Sequence, residues 1–482
     1  MIQKQELLDL AKDFGLQPNV VEKDYLLGWL LAGIGEHTAT RETWVFKGGT
    51  CLKKCFFETY RFSEDLDFTL TDPAHLDEAF LHKLFQEVGD WVYEQTGLVL
   101  PPEARKFEVY TNPRGGTSAE GRVGYRGPLA RAGDAPRIKL DLTDHERLVL
   151  PIDRRSVHHP YSDLPQQGIH VSTYCFEEVF AEKVRALAER LRPRDLYDVV
   201  HLYRRKELSP DLPQLMHALR EKCEFKKIGV PDFASIQASP LIAELQVSWG
   251  QMLAHQLPEL PPFDGFWAEL PDVFDWLHSR VAQPVLAGFA VGADTDTSWR
   301  MPAMASSWRS LGIGAPMEVI RFAAANRLCI QLDYRKVSGE RTQPVIEPYS
   351  LRRTRDGNYL LYGVKADTGE NRSYRVDRIS GATVTQRSFT ARYVVELTET
   401  GIQTVPNVAR PVTATRDVFR APKPLAARAK SGMGGGPKYT FRCTACGKTF
   451  TRSTYDGALN EHKNKQGYPC FGRVGAFVKT QY

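Results

Sequence analysis

Two neighbouring stretches decide the fold of the first half of the chain: FKGGT at residues 46–50 and RFSEDLDF at residues 61–68. The first stretch follows an apolar run and precedes a helix-like segment, which predicts a strand, a glycine turn and a helix. The second stretch predicts another strand, because apolar and acidic residues alternate in it. Side chains two residues apart on a strand face the same way, so Asp65 and Asp67 project together while the apolar residues beside them face the core.

Two carboxylates held side by side repel each other, so the aspartate pair indicates a bound cation. Mg²⁺ prefers oxygen ligands and is often completed by the phosphates of a substrate. The turn at Gly48 and Gly49 suits such a substrate, since glycines let backbone N–H groups approach a phosphate at the start of a helix. The two stretches together therefore predict a site for a metal-bound nucleotide.

A third carboxylate extends this pattern. The segment RIKLDLT at residues 137–143 alternates, which predicts a strand with Asp141 on the face opposite its apolar residues. Three carboxylates suit two metal ions that clamp the attacking and leaving oxygens of a phosphoryl transfer. A glycine pair alone is typical of a helix start, and Asp-x-Asp alone of a solvated strand edge. Their combination, with fifteen residues between Gly49 and Asp65, indicates a catalytic site.

KGGT together with RFSEDLDF resembles the DNA polymerase β-like nucleotidyltransferase superfamily, and more narrowly the AbiEii/AbiGii-type nucleotidyltransferase toxins of bacterial toxin–antitoxin and phage-defence systems. EKDY at residues 22–25, EKVR at 182–185 and RDLYD at 194–198 resemble further segments of that family. The likeness covers about residues 15–260. It departs mildly at Cys51, where the family often has alanine or another small residue.

The resemblance implies an enzyme that transfers a nucleotide from an NTP to an RNA 3′ end, with tRNA as the implied acceptor and an antitoxin protein as the implied partner. The glycine turn and the aspartate pair would hold the nucleotide with Mg²⁺ or Mn²⁺ as the cofactor. The implied catalytic residues are Asp65, Asp67, Asp141, Lys183 and Asp195, and the implied nucleotide-binding residues are Lys47, Gly48, Gly49, Thr50 and Ser63.

Alternatives stay open for the roles of single residues and for the function of the whole protein. Lys183 lies on an amphipathic helix, where a lysine beside phosphates acts as a compact cation, but it would equally suit the helix surface. Residues 192–195 would equally form a structural ion-pair group in which Asp195 caps the next helix. The alternative functions are nucleotidylation of a protein, and a nucleic-acid-responsive regulator whose transferase fold has lost activity. The intact aspartate and glycine pairs argue against the regulator.

A second module follows at residues 316–400, where a short helix precedes alternating strands separated by hairpin turns. LDYR at 332–335, IEPYSLR at 346–352 and RSYRVDRI at 372–379 resemble a WYL domain, with Asn358 in place of the name-giving Trp. The resemblance implies a small SH3-like β-barrel that binds nucleic acid or nucleotides. Guanidinium groups bind phosphates, and tyrosines stack on bases. The candidate ligand residues are Arg352, Tyr359, Arg372, Tyr374 and Arg378.

We expect Arg372, Tyr374, Val376 and Arg378 to share one strand face and Arg375 to face the other, so that not all of these arginines can serve one ligand. Ordinary surface arginines around a barrel are the alternative. Helical spacing in residues 1–35, and again in most of residues 174–260, predicts that these regions are helical.

Four residues that can bind a metal lie near the C-terminus: Cys443, Cys446, His462 and Cys470. Three thiolates and one imidazole match a closed structural Zn²⁺ site, and so small a segment would depend on the metal for folding. We predict a ββα-like module with His462 on its helix. A redox Cys-x-x-Cys is disfavoured, because no thioredoxin-like pattern surrounds it. A set of basic and aromatic residues suggests an RNA-binding face, and a solvated basic face is the alternative. These residues are Arg442, Lys448, Arg452, Lys463, Lys465, Arg473, Phe441, Phe450, Tyr455 and Tyr468.

The 482 residues carry a net charge of +5 that is unevenly distributed. Residues 401–482 carry +11 and residues 1–400 carry −6, which suggests that nucleic acid meets the C-terminal end, or else that the tail is merely solvated. We predict an α+β multidomain chain without a signal segment or membrane partner, located in the cytoplasm. Its predicted parts are a nucleotidyltransferase domain with a helical lobe (1–280), a linker (281–315), the WYL-like domain (316–400), a flexible basic linker (401–437) and the zinc module (438–482).

Overall fold

Two helices precede the glycine turn, as the helical spacing of the first residues predicts. In the computed structural model they are α1 (Lys4–Phe14) and α2 (Pro18–Glu36). The second helix is buried along most of its length, because it packs between the sheet and a later helix. The structure describes residues 1–57, 60–111, 115–130, 133–205, 210–279, 286–296, 298–299, 301, 316–398, 438–452, 459–460, 462–463, 469–470, 472 and 474–481.

A seven-stranded mixed sheet forms the centre of the first module. Its strands lie in the order β3-β4-β5-β2-β1-β7-β6, with β2 parallel to β5 and β1 parallel to β7. Leu66 and Phe68 are fully buried on one face, so the aspartates that alternate with them lie on the other. The strands are β1 (Trp44–Lys47), β2 (Asp65–Leu70), β3 (Arg105–Thr111), β4 (Thr117–Gly124), β5 (Arg137–Thr143), β6 (Asp153–Ser156) and β7 (His170–Thr173).

Helices cover this sheet and form the lobe that follows it, which confirms the prediction for the region from residue 174. The short α3 (Gly48–Cys51) directly continues β1, as the strand–turn–helix pattern predicts. No helix among the described residues combines the length and apolar character needed to cross a membrane. The remaining helices are α4 (Glu78–Thr96), α5 (Phe176–Arg190), α6 (Pro193–Tyr203), α7 (Leu212–Lys226), α8 (Phe233–Gln237), α9 (Ile242–Leu253) and α10 (Phe263–Leu277).

The WYL-like region is a curled antiparallel sheet of six strands behind one helix, α11 (Met317–Ala325). The strand order is β12-β11-β10-β8-β13, and β9 pairs with β8. Within the described residues the two end strands do not pair with each other, so the sheet is a half-barrel. Its strands are β8 (Leu328–Arg335), β9 (Arg341–Thr342), β10 (Val345–Arg353), β11 (Tyr359–Lys365), β12 (Asn371–Arg375) and β13 (Ile379–Ser388).

The expectation that Arg372, Tyr374 and Arg378 share one strand face is wrong. Strand β12 ends at Arg375, and a 3₁₀ turn over Val376–Arg378 connects it to β13. The turn buries the Val376 side chain, and this apolar anchor redirects the chain before Arg378.

Part of the predicted first linker packs on the half-barrel. Phe289 is buried against the rings of Tyr349 and Tyr393, and Thr295 pairs with Thr354 as an isolated bridge. The described part of this linker is 286–296, 298–299 and 301. Its other residues lie outside the described residues, as does all of the predicted second linker at 401–437.

Residues 411–482 form a compact unit separate from residues 1–410. Its described strands are β14 (Lys438–Cys443), β15 (Thr449–Arg452), β16 (His462–Lys463), β17 (Pro469–Cys470) and β18 (Gly475–Gln481). They form a sheet in the order β15-β14-β18 and a separate β16–β17 pair. The prediction of a helix at His462 is wrong: His462 lies on β16, where strand pairing sets it directly opposite Cys470.

Candidate active site and metal centre

Strand pairing places the three predicted carboxylates on one face of the sheet. Asp67 on β2 is in register with Asp141 on the parallel strand β5, and Asp65 lies two residues earlier on β2. Burial and the neighbouring Asp141 raise the pKa of Asp67 to about 6. Burial also raises the pKa of Asp65. The negative charges are therefore held together in a poorly solvated recess.

This recess fits a hard divalent cation. Lys139 already contributes one positive charge, since its Nζ lies 3.0 Å from Oδ1 of Asp141 and 3.5 Å from Oε2 of Glu120. The pKa of Asp67 is raised although Lys47 and Lys183 lower it, so additional positive charge would stabilise the carboxylate form. A donor set made only of carboxylate oxygens is typical of Mg²⁺ and Mn²⁺ sites.

The glycine turn packs directly against these carboxylates. Gly48 has a φ of +81°, a left-handed conformation that favours glycine. A Cβ atom at Gly48 would lie 2.0 Å from Oδ2 of Asp67, and one at Gly49 would lie 2.6 Å from Nη2 of Arg61. Neither position has room for a side chain, so the turn packs closely against Asp67 on one side and Arg61 on the other.

The other predicted nucleotide-binding residues lie in different surroundings. Ser63 borders the glycine turn with its hydroxyl. Thr50 is buried, and its hydroxyl donates to the backbone carbonyl of Asp65, so it anchors β2 to α3. Lys47 directs its Nζ towards Glu146, 3.9 Å from Oε1. Of these three side chains, that of Lys47 lines the cavity beside Asp67 and Asp141.

Lys183 belongs to a buried ion-pair cluster centred on Asp198. The fully buried Asp198 carboxylate accepts from Lys183 Nζ at 2.7 Å, from Arg61 Nε at 2.8 Å and Nη2 at 2.9 Å, and from the Tyr60 hydroxyl. Burial alone would raise the pKa of Asp198, but Arg61 and Lys183 hold it well below its ordinary value. The cluster ties α5 and α6 to the segment that leads into β2, and it holds Lys183 near enough to Asp67 to lower the pKa of that carboxyl group.

Asp195 is separate from this cluster. It is fully buried in the first turn of α6, where its carboxylate accepts from Arg190 Nε at 2.7 Å and Nη2 at 2.8 Å. This placement resembles the structural alternative for residues 192–195, although its partner is Arg190 and the side chain does not cap the helix. The catalytic role of Asp195 stays a prediction.

Arg194 is a functional candidate that the sequence motifs did not single out. Its guanidinium is half-buried near Asp65, and burial together with Arg61 lowers its pKa. Within the described part of the chain, its Nε has no hydrogen-bond partner. A buried N–H without a partner costs about 1–3 kcal/mol, which a phosphate oxygen would offset. The available signal was the i, i+4 spacing of Arg194 and Asp198, which places both on one face of α6.

A polar cavity of about 560 Å³ opens beside Asp67 and Asp141. Lys47, Lys226 and the half-exposed ring of Tyr110 line its walls. Its size suits a nucleotide or the end of a nucleic acid. Cationic and aromatic side chains around it are the groups that hold phosphates and bases.

Two of the three candidate arginines of the WYL-like sheet form ion pairs within the protein. Arg352 pairs with Glu396, and Arg372 Nη2 lies 2.7 Å from Oε2 of Glu370. Arg378 is half-buried on the 3₁₀ turn. A phosphate ligand would therefore have to compete with carboxylates for the first two arginines.

The two candidate tyrosines differ in accessibility. Tyr374 is buried, and its ring packs edge-on against Tyr334 with centroids 5.2 Å apart. Tyr359 is half-buried against Trp299 at 5.5 Å. Base stacking is thus more compatible with Tyr359 than with Tyr374. Ligand binding by this sheet stays a prediction.

The four predicted zinc ligands converge in the C-terminal unit. Their ligand atoms all lie within 4.8 Å of one another, with Cys443 Sγ 3.8 Å from Cys470 Sγ and Cys446 Sγ 3.2 Å from His462 Nε2. The backbone N–H of Cys446 is the main group that lowers the pKa of Cys443 to about 6, which favours the thiolate. This donor set fits Zn²⁺.

Local backbone structure supports this convergence. Gly447 has a φ of +68° and turns the chain between β14 and β15. A Cβ atom at Gly472 would lie 2.5 Å from Cys443 Sγ, so only glycine lets the chain pass the thiols. His462 Nδ1 contacts the backbone carbonyl of Asn460 at 2.9 Å, which orients Nε2 towards the thiols.

The predicted RNA-binding face of this unit is only partly described. Phe441 is buried and Phe450 packs on the His462 ring at 4.8 Å, so both aromatic rings serve the fold. Arg442, Lys448 and Arg452 lie on or between β14 and β15. Tyr455, Lys465, Tyr468 and Arg473 lie outside the described residues.

Comparisons with known proteins identify both modules. Family models match the nucleotidyl transferase AbiEii toxin of type IV toxin–antitoxin systems at residues 29–278 and the WYL domain at residues 316–384. Among curated proteins, the comparison found no significant match.

Two solved structures show limited similarity. The nucleotidyltransferase toxin MenT4 from Mycobacterium tuberculosis is 19% identical, with 58% of this chain and 90% of that chain covered and a TM-score of 0.39. Proteasome accessory factor B/C of Arthrobacter aurescens is 14% identical, with 63% and 41% covered and a TM-score of 0.15. The AbiEii model spans more than half of the sequence. The chain therefore belongs to the AbiEii family of nucleotidyltransferase toxins, and it carries a WYL domain.

Proposed function

We propose that this nucleotidyltransferase uses an NTP and Mg²⁺ or Mn²⁺ to add a nucleotide to the 3′ end of an RNA, with tRNA as the acceptor. One observation carries the proposal: Asp65, Asp67 and Asp141 share one sheet face against a glycine turn that has no room for side chains. Burial and the charge of Asp141 raise the pKa values of Asp65 and Asp67, and such carboxylates beside a glycine turn suit a metal-bound triphosphate.

In the proposed reaction, an RNA hydroxyl oxygen bonds to the α-phosphorus, the bond to the bridging oxygen breaks, and pyrophosphate leaves. Asp65 and Asp67 would hold the cation, which would polarise the α-phosphate and neutralise charge on the leaving group. Asp141 accepts the proton of the attacking hydroxyl. The neighbouring Lys139 orients the Asp141 carboxylate from 3.0 Å.

Cationic side chains complete the proposed triphosphate site. Arg194 offers its Nε, which has no hydrogen-bond partner among the described residues, from the Asp65 side, and Lys183 lies on α5 near Asp67. Asp198 holds Lys183 in place, so the ammonium is positioned before substrate arrives. Preorganised charge of this kind stabilises the transition state more than the free substrate.

The other modules supply partners in this proposal. A type IV toxin family implies an antitoxin protein that opposes the transferase. The chain from residue 401 onward carries +11, so this tail supplies the attraction to RNA that the acidic body lacks. The WYL sheet would sense a nucleic acid or nucleotide ligand.

Incubation of the full chain with each NTP and total cellular RNA tests this function. A label on the α-phosphate should enter RNA when Mg²⁺ or Mn²⁺ is present, whereas a label on the γ-phosphate should not, because pyrophosphate leaves. Sequencing of RNA ends then identifies the acceptor. Label found on protein would instead indicate protein nucleotidylation. Absence of α-label transfer with all four NTPs would support the inactive regulator.

Zinc content gives a separate prediction for the C-terminal unit. The full chain, purified under reducing conditions, should contain one Zn²⁺, and Cys446→Ser should lose it because three ligands hold the ion poorly. Cys175→Ser is the matched control, since Cys175 belongs to the other compact unit and is not one of the four converging ligand residues, so the zinc content should be unchanged. Elemental analysis of the three proteins checks the prediction, and a zinc-free parent protein would contradict it.

A further inference from the structure

A second cavity, of about 770 Å³, lies between the helical lobe and the WYL half-barrel. Phe266 and Trp276 on α10 form one wall, and Phe389, just after β13, forms part of the opposite wall. None of the catalytic carboxylates lines this cavity, and no sequence motif predicted it. Its volume and aromatic walls are those of a site for a flat ligand of nucleoside size.

Polar groups at the cavity are few and balanced in charge. Glu269 is neutralised by Arg204, whose Nη2 lies 2.7 Å from Oε1 and whose Nε lies 3.1 Å from Oε2. The remaining charged lining residues are the exposed Asp272 and the half-buried Arg327, one of each sign. A phosphate would add negative charge beside two carboxylates without a cluster of cations to receive it. An uncharged ligand with hydrogen-bond donors and acceptors suits this lining better.

The polar lining also matches the two parts of a nucleoside. Asp272 can accept from a base N–H, and Arg327 can donate to a base carbonyl or ring nitrogen. Ser388 supplies a hydroxyl group that can bond to a sugar, whereas the side-chain amide of Asn326 already bonds to the Tyr197 hydroxyl and to the backbone carbonyl of Phe322. Arg327 has a φ of +55° and directly follows the C-cap of α11, where a left-handed residue ends the helix and sets the direction of the side chain.

The cavity walls contain the contacts that join the two modules. Arg204 donates to the backbone carbonyl of Ala325 at 3.1 Å, and the Tyr197 hydroxyl donates to Oδ1 of Asn326 at 3.0 Å. Tyr197 precedes Asp198 on α6, and Asp198 holds the catalytic-site Lys183. A ligand in this cavity would therefore touch the residues through which the WYL module contacts the catalytic helix.

We propose that this cavity is a binding site for an uncharged nucleoside, distinct from the NTP site and from the exposed face of the WYL sheet. The proposal goes beyond the RNA transfer proposed above and does not depend on it. A nucleoside bound to both modules stabilises their joined arrangement, so its binding raises the melting temperature of the protein.

Titration calorimetry of the full chain with adenosine, guanosine, cytidine and uridine tests the site. At least one nucleoside should bind, and its 5′-monophosphate should bind about tenfold more weakly or worse, since its phosphate would lie beside the carboxylates of Glu269 and Asp272 while Arg204 is already paired with Glu269. Gly265→Leu should abolish this binding, because the new side chain enters the cavity opposite Ser388. Gly265→Ala is the matched control, as its Cβ would lie at an ordinary 3.7 Å from Cβ of Ser388.

Each result decides the question independently of transferase activity. Binding that is lost in the leucine variant, kept in the alanine variant and accompanied by a raised melting temperature supports the site. Absence of binding by all four nucleosides overturns it. If the leucine variant melts like the parent and binds the nucleoside equally well, the nucleoside binds elsewhere and the proposal is overturned. Tighter binding of the monophosphate would show that the cavity is an anion site, which also overturns the proposal.

Discussion

Replacing Asp67 by asparagine is expected to lower metal-dependent nucleotide transfer by about three orders of magnitude or more. Asn has the shape of Asp but lacks the charge that a divalent cation requires. Asp67 is central in the carboxylate group, because it lies between Gly48 and Asp141. Transfer from α-labelled NTP, measured for parent and variant over a range of Mg²⁺ concentrations, checks the loss.

The same replacement is expected to stabilise the metal-free protein. The folded pKa of Asp67 is about 6, above the ordinary value of 3.8, so ionisation costs folding free energy at high pH. Below about pH 4 the group is protonated in both folded and unfolded chains, and the cost disappears. The Asp67→Asn variant should therefore melt higher than the parent at about pH 8 in a chelator, and the difference should shrink as the pH falls from about 6 to about 4.

Glu120→Gln is the matched control on the neighbouring strand. Glu120 lies in register with Asp141, but its hydrogen bond from Arg122 lowers its pKa, so its charge stabilises the fold. Its removal should lower the melting temperature slightly at about pH 8, the opposite sign to Asp67→Asn. Full transfer activity in Asp67→Asn would contradict the metal assignment. A variant less stable than the parent at every pH would show that Asp67 serves the fold.

Replacing Asp198 by asparagine should produce the largest loss of stability, about 3–5 kcal/mol. The substitution leaves the guanidinium of Arg61 and the ammonium of Lys183 buried without a countercharge. Their side chains are only 2% and 9% exposed, so water cannot replace the lost carboxylate. Loss of positioned Lys183 should lower transfer as well, even under conditions in which the variant stays folded.

Asp195→Asn is the matched comparison, three residues earlier on the same helix. Asp195 is equally buried, but its partner Arg190 is 48% exposed and can turn to water when the carboxylate is neutralised. A loss of about 1–2 kcal/mol is expected there. Urea unfolding followed by tryptophan fluorescence reads the unit formed by residues 1–410, since all eight tryptophans lie within it. Equal losses in the two variants would contradict the central role of Asp198.

Short-range pattern was enough to predict the parts of the site that lie on single elements. The alternation in DLDF predicts that Asp65 and Asp67 share a face, because side-chain direction on a strand is set by the backbone alone. The spacing of the C-terminal cysteines predicts a common ligand set for the same kind of reason, since a Cys-x-x-Cys turn brings two thiols together locally.

Short-range pattern did not predict which distant residue each charged or metal-binding side chain would contact. Asp195 and Asp198 have similar sequence surroundings, and the direction in which α6 faces decides that Asp198 meets Lys183 and that Asp195 meets Arg190. His462 was predicted on a helix because its local spacing is helical, yet pairing with Cys470 places it on a strand. In both cases the deciding partner lies elsewhere in the chain, and local propensity is too weak to outweigh it.

The sequence by itself determined the family, the glycine turn and the aspartate pair, because each depends on residue types at short, regular spacing. Only the tertiary structure decided that β5 lies beside β2 and brings Asp141 to Asp67, and that Arg194 joins the same site. It alone formed the cavity between the helical lobe and the WYL half-barrel. Strand order and module packing depend on the burial of apolar surface summed over many distant residues, and no local pattern encodes that sum.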